Sequence, residues 1–457
     1  MSSATEPLSY VYHLIVAAPT APKVLVMPVE QSWYLPGFQH HERRFWQDVD
    51  HVNRRAEALL GGPMQTLRCV AIDYEREQEL LSKVYAIAPH DPRWTPPPGG
   101  RWVGPDDLEA LELVPGEHRM VLADWFAWRD QPTPPTRPPW YSAGWLDLAV
   151  EWAVAQLEGA GMTPSGPAEQ LRSWQRSALL RLPTQAGNVY VKAVPPLFAH
   201  EPELTALLAT IAPQHVPATI AVDRRRGLLL TREYAGVGLD RVPEVADWAA
   251  ALRSFAELQI ACIAQVDRLR AVGVPLRSLA SLPTRAAPLL ADMAAMVTDR
   301  PAGLNHEQRD RLIGLGPQLA DRCAALAAFG LPETLEHGDF WAGQIIVGAS
   351  GYIVLDWSDS SIAHPFFSLL LFLLEVEDFF PKERGVRERL RDAYLGPWSA
   401  IAPYRDLVRA FELAQPLAAL HFALSYYEDV LPQMEQRWEM ELMLPFYLKM
   451  LLRLADW

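Results

Sequence analysis

Between Leu335 and Asp359 the chain reads LEHGDFWAGQIIVGASGYIVLDWSD, and this pattern admits few ways of folding. A polar loop precedes the apolar run Ile345–Val347, Gly348–Gly351 supply a tight turn, and a second run, Tyr352–Leu355, ends in a carboxylate. Two short β-prone runs joined by a glycine-rich turn predict a hairpin. A hairpin fixes the separation of its ends. Asp339 and Gln344, ahead of the first strand, are therefore expected at the same end as Asp356, which follows the second.

Two carboxylates with an amide oxygen between them suit phosphoryl transfer. One carboxylate orients an attacking hydroxyl, while the other and the amide oxygen hold a metal that bridges the phosphates. The residues resemble the aminoglycoside phosphotransferase and choline kinase superfamily, whose pattern is His-Gly-Asp-x4-Asn, a hydrophobic strand, and Asp-Trp or Asp-Phe. The resemblance implies an α+β, bilobal, protein-kinase-like fold with a small β-rich N-lobe and a large helical C-lobe. It implies that His337 braces the loop, that Asp339 is the catalytic carboxylate, and that Asp356 and Gln344 bind Mg²⁺. ATP or GTP would be the phosphate donor and a small-molecule hydroxyl the acceptor.

Two positions depart from that pattern. Gln344 stands where the superfamily has Asn, keeping the amide oxygen on a longer stem, as maltokinase-like sugar kinases also do. Ser368, in AHPFFSL, stands where an Asp often caps and braces the loop.

The same resemblance asks for a Lys on an early strand and a Glu on the next helix. Lys192, in the apolar run Tyr190–Val194, fits a contact with the α- and β-phosphates; a solvent-facing Lys on an edge strand is the competing reading. Of Glu201 and Glu203, counting back from Val216-Pro217 favours Glu203 as its partner. Backbone groups of Glu233 and Tyr234 are expected to meet the nucleobase, where the chain resembles the hinge. No glycine-rich loop precedes Lys192, so phosphate contacts are expected from Ser173, Arg176 or Ser177.

Around this core the chain divides at Arg129–Pro139, where five prolines preclude helix and favour an extended connector. Residues 1–128 are expected to form a mixed α/β domain, 129–164 a Pro-rich linker and connecting helix, 165–235 the N-lobe, and 236–457 the helical C-lobe. The first segment begins with a predicted strand pair, Val11–Ala17 and Lys23–Val29. Trp33-Tyr-Leu-Pro-Gly37 follows, then a helical stretch, Glu42–Leu60, ended by Gly61-Gly62, with further strands at Leu67–Ile72 and Leu81–Ala88. A strand running into Trp-x-x-Pro-Gly ahead of a helix resembles a Nudix-type domain. The Nudix box is absent, and Glu42, Asp48, Asp50 and Glu57 do not reproduce its metal-binding glutamates, so a structural role is expected.

A formal net charge of −14 argues against non-specific binding to nucleic acid or to an anionic membrane. MSSATEPLSY lacks the pattern of a signal peptide, and the apolar run Phe366–Leu374 is too short to span a bilayer. Cys69, Cys262 and Cys323 fit no metal-ligand spacing and read as buried free thiols of a cytoplasmic protein. Nothing sets the oligomeric state. The expectation is a small-molecule kinase acting on a sugar, aminoglycoside or related metabolite, with a nucleotide-binding pseudokinase that senses a ligand as the alternative.

Overall fold

The first two apolar runs part into different sheets. The structure is a computed structural model that describes residues 9–19, 21–75, 79–292, 302–349, 351–438 and 440–455. The start of MSSATEPLSY, Ser350 of the expected turn, and the last two residues lie outside the described residues. The chain forms two compact units, residues 1–195 and 196–457.

The first unit begins with β1 (Ser9–Val16), β2 (Val24–Val29), β3 (Ser32–Tyr34), β4 (Gly37–His40), α1 (Asp50–Leu60), β5 (Met64–Glu75), β6 (Leu80–Pro89) and β7 (Arg101–Val103). β1 runs antiparallel to β4 on one edge and parallel to β6 on the other, and β5 extends the sheet beyond β6. Both edges of β1 are thus taken, and the expected pairing with β2 shrinks to a single bridge, Ala17 to Val24. β2 instead pairs with β3 and β7. Ile15, Val24, Leu67, Val103, Leu122 and Trp125 meet in the core between these layers.

The helix expected from Glu42 starts only at Asp50. The preceding backbone is committed elsewhere: Val49 N–H donates to the Leu171 carbonyl at 2.9 Å, and the Gln47 carbonyl accepts Ser173 N–H at 3.0 Å. Its end is as expected, with Gly61 in the left-handed region (φ 71°) donating to the Glu57 carbonyl.

α2 (His118–Asp130) takes in the first two residues of the expected connector, whose first proline is Pro132, and α3 (Trp145–Gly159) follows the connector. The buried Trp140 indole donates to the Trp174 carbonyl at 2.8 Å. That carbonyl ends β8 (Glu169–Trp174), which continues into β9 (Ser177–Thr184) and β10 (Gly187–Ala193) as an antiparallel meander. β9 and β10 form a hairpin, with Val189 opposite Leu182.

The second unit opens with α4 (Glu201–Ile211), the hairpin β11 (Thr219–Asp223) and β12 (Leu228–Arg232), and the short β13 (Val237–Gly238). Helices α5 (Val245–Ile263), α6 (Val266–Ala271), α7 (Leu282–Ala291), α8 (His306–Leu315) and α9 (Leu319–Ala327) come next. Two of these helical stretches are each divided in two. His306–Phe329 divides at Gly316-Pro317, where proline has no N–H to offer the preceding turn, and Trp248–Val272 divides at Ala264-Gln265.

β14 (Thr334–Glu336), β15 (Ile345–Gly348), β16 (Gly351–Val354) and β17 (Ser361–Ala363) carry the central motif. The short α10 (Leu369–Phe372) and α11 (Val376–Phe379) lead to α12 (Val386–Trp398), α13 (Tyr404–Ser425) and α14 (Met440–Leu454). α13 is buried along most of its length, and its Leu417, Leu420 and Leu424 share the main core with Phe255, Phe340 and Trp357. Among the described residues no helix is long and apolar enough to cross a membrane. The three cysteines are buried and free, as expected.

Candidate active site

Leu335 of β14 pairs with Ile362 of β17, and this two-stranded ribbon delivers the chain into the His337–Asp339 loop. His337 is fully buried. Its Nε2 donates to the Leu355 carbonyl at 2.9 Å, and its Nδ1 accepts the Asp339 N–H at 3.3 Å. Both bonds together require a neutral imidazole with its proton on Nε2. Burial lowers the pKa of this ring, outweighing the Leu355 carbonyl and the Glu336, Asp356 and Asp359 carboxylates that favour its charged form. On the far side of the loop, Phe340 stacks on Phe255 at 3.8 Å between centroids.

The hairpin forms in the expected register, with Ile345 opposite Val354. Leu355 N–H donates to the Gln344 carbonyl at 2.8 Å, and the Gln344 side-chain amide donates to Asp339 Oδ2 at 3.1 Å. Asp339, Gln344 and the residue preceding Asp356 are therefore linked at one end of the hairpin. Asp356 itself is left-handed (φ 59°), a conformation that costs a non-glycine residue about 1–3 kcal/mol unless its surroundings impose it. Glu201 supplies such surroundings. Its buried carboxylate accepts Trp357 N–H at 3.2 Å and the Ser358 hydroxyl at 2.6 Å.

The structure thus brings Glu201 to the Asp356 turn, while Glu203 faces Arg224 at 3.3 Å near the surface. Both acids sit in the first turn of α4, and sequence distance from Val216-Pro217 does not register which of them is buried. Lys192 lies in β10 opposite Leu179, half-buried. Glu233 is exposed past the end of β12, and the Tyr234 hydroxyl reaches the Gly351 carbonyl at 3.4 Å. Of the residues expected to take the place of a glycine-rich loop, Ser173 is buried and donates to the Leu67 carbonyl at 2.9 Å. Ser177 accepts the Trp174 indole N–H at 2.9 Å. Their hydroxyls serve the fold, and the Arg176 guanidinium lies over the Trp174 ring.

Among the described residues no group of three or more His, Cys, Asp or Glu side chains is placed to hold a metal by itself. Asp356 and the Gln344 amide oxygen would offer only oxygen ligands, too few to enclose an ion. That suits Mg²⁺, which keeps waters and shares itself between one or two carboxylates and substrate phosphates.

A model of the phosphotransferase enzyme family, APH, matches residues 166–407, more than half of the chain. The chain belongs to that family. It is a phosphotransferase.

Several solved structures are similar to this phosphotransferase. The macrolide 2′-phosphotransferase MphH from Brachybacterium faecium is 18% identical, with 61% of this chain and 94% of that one covered and a TM-score of 0.39. A choline/ethanolamine kinase family protein from Mesorhizobium loti is also 18% identical, covering 68% and 95%, with a TM-score of 0.46. The aminoglycoside phosphotransferase APH(3″)-Id from Streptomyces rimosus, in complex with ADP and streptomycin, is 21% identical, covering 61% and 98%, with a TM-score of 0.35. None of the curated proteins compared matches the chain.

The second unit of the phosphotransferase also holds a polar cavity of about 140 Å³, walled in part by Phe198, His200, Arg277, Asp359, Ser425 and Asp429. Arg277 spans the wall, donating to Asp429 at 2.6 Å and to the Ser425 hydroxyl at 2.8 Å. The Asp359 carbonyl packs against Gly338, the residue before Asp339.

Proposed function

We propose that this phosphotransferase moves the γ-phosphate of ATP or GTP onto a hydroxyl of a sugar, aminoglycoside or related small metabolite. The observation that carries the reading is the double bonding of His337, which ties the loop holding Asp339 to the strand end leading into Asp356. Asp339 would orient the acceptor hydroxyl and take its proton. Asp356 and the Gln344 amide oxygen would hold Mg²⁺, which when bound neutralises charge on the phosphate oxygens. Lys192 would contact the α- and β-phosphates, and the backbone at Glu233 and Tyr234 the nucleobase. Glu201 replaces Glu203 as the acid of α4 in this reading, because its carboxylate holds the turn that follows Asp356.

The cavity beside Asp359, at about 140 Å³ too small for a whole acceptor, would take one polar end of it. Its guanidinium, carboxylates and hydroxyls suit a ligand rich in hydroxyl or amino groups. Residues 1–128 would serve as a Nudix-like scaffold, 129–164 as linker and connecting helix, 165–235 as N-lobe and 236–457 as C-lobe. Support for a non-hydrolytic scaffold comes from α1: Asp50 is engaged by Arg54, Glu57 is exposed, and Glu42 and Asp48 precede the helix.

The test is phosphate uptake from labelled ATP and GTP by a panel of sugars, aminoglycosides and amino alcohols, with Asp339→Ala alongside. Transfer to at least one acceptor, abolished in the variant, supports the reading. Nucleotide binding with no transfer to any acceptor, unchanged by the substitution, favours a sensing pseudokinase.

A further inference from the structure

The residue just ahead of His337 is an acid that the site chemistry leaves unused. Glu336 ends β14 with its side chain fully buried, a position that is unfavourable for a carboxylate unless its oxygens are hydrogen-bonded. Here they are. Oε1 accepts Gly338 N–H at 2.7 Å and the Ser368 hydroxyl at 3.1 Å. Oε2 accepts the Ser361 hydroxyl at 3.3 Å and lies 3.4 Å from His421 Nε2, an equally buried ring of α13.

We infer that Glu336 is a positioning residue, the anchor that fixes the shape of the Asp339 loop. Two consecutive loop amides end on it. Gly338 N–H reaches Oε1 directly, and His337 N–H reaches the Ser368 oxygen at 3.1 Å, whose own hydrogen goes to Glu336. Those amides lead into a glycine held at φ 84°, where the chain turns sharply to present Asp339. A buried acceptor that collects both amides makes that turn the favoured one.

The same geometry explains how the loop holds without an acid at position 368. Ser368 is too short and uncharged to anchor two amides, and instead relays one of them to Glu336. The carboxylate enters from the strand before the loop rather than from the segment after β17. Burial alone would raise the carboxyl pKa, but the His421 ring beside Oε2 and the Gly338 N–H hold it below the usual range, so the anchor is charged. Burial also keeps His421 neutral, in spite of Glu336.

The inference rests on the reading of Asp339 as the catalytic carboxylate, and two readouts keep the questions apart. The first is intrinsic hydrolysis of MgATP and MgGTP by the full chain, split into kcat and KM. The second is hydrogen–deuterium exchange of the peptide spanning residues 336–341, which needs no turnover. Glu336→Gln preserves size and one acceptor oxygen but removes the charge. It is expected to lower kcat about 10- to 100-fold, as a loosened reacting group does, with KM for nucleotide within about threefold, and to speed exchange in that peptide.

Glu336→Ala with Ser368→Asp, which moves the acid to the other side of the loop, is expected to recover at least tenfold of the kcat lost by Glu336→Ala alone. If Glu336→Ala does not fold, Glu336→Gln carries the test by itself. Wild-type kcat together with unchanged exchange in Glu336→Gln overturns the anchor. Wild type without any nucleotide turnover, but with faster exchange in Glu336→Gln, leaves the anchor standing and counts against the catalytic reading of Asp339.

Discussion

His337 donates through Nε2 to the Leu355 carbonyl 2.9 Å away, and that bond closes the Asp339 loop onto the strand leading to Asp356. One neutral ring thereby sets the spacing of two acids that are separated by a whole hairpin in sequence. The proposed roles of Asp339 and Asp356 require this spacing to survive when the chain binds nucleotide.

Replacing that ring should show it. His337→Ala strands the Leu355 carbonyl and the Asp339 N–H, a loss of about 1–3 kcal/mol for a buried unsatisfied group. The urea midpoint should fall accordingly. Turnover should fall further than stability alone explains, because Asp339 is no longer held at a fixed distance from Asp356.

The two first-turn acids of α4 should separate cleanly. Glu201→Gln weakens the carboxylate that accepts from Trp357 and Ser358, and should lower kcat with MgATP by at least tenfold. Glu203→Gln removes only a surface pair with Arg224, and should change stability by less than about 0.5 kcal/mol. Side-by-side kinetics and denaturation of the two variants check this, and equal effects would remove Glu201 from its assigned place.

Gly338→Ala should be disproportionately harmful for so small a change. A methyl group there would meet the Asp359 carbonyl, and the left-handed backbone adds about 1–2 kcal/mol for any side chain. Gly396→Ala, where an added methyl meets nothing, is the matched control, and thermal unfolding of both variants gives the comparison.

The central hairpin was legible in the sequence because local rules decide it: β-prone runs and a glycine turn. Less legible was whatever depends on distant partners. β1 and β2 read as a pair, yet β4 and β6 occupy both edges of β1. The stretch before Asp50 reads as helix, yet Leu171 and Ser173 claim its backbone. In the site, Asp339, Gln344 and Asp356 stood out by spacing. Glu201 and Glu336 did not, since nothing local separates a first-turn acid or a strand-end acid that is buried from one that is solvated.

Stability should fall on mild acidification. Burial holds His200 near a pKa of about 4 and His364 near about 3, against about 6.5 in the unfolded chain. Both pKa values are depressed, so the unfolded state binds more protons below pH 6.5. Their stabilisation is complete above that pH and is lost as pH falls towards 4 and 3. At pH 5 each ring should account for about 2 kcal/mol of lost stability. Urea unfolding at pH 7.5 and 5.0 measures the drop, and His364→Asn, which can still cap the turn at Phe366, should shrink it by about 2 kcal/mol.

The account stands or falls on Asp339 and Asp356 doing different jobs at one end of the hairpin. Calorimetric titration of ATP and GTP, with and without Mg²⁺, should be run on Asp339→Asn and Asp356→Asn beside the wild type and paired with single-turnover transfer. Asp339→Asn should bind Mg-nucleotide as the wild type does while transfer falls about 10²- to 10⁴-fold. Asp356→Asn should lose the Mg²⁺-dependent part of binding. If Asp339→Asn transfers phosphate at the wild-type rate, or Asp356→Asn keeps an unchanged Mg²⁺ dependence, the assignment is contradicted.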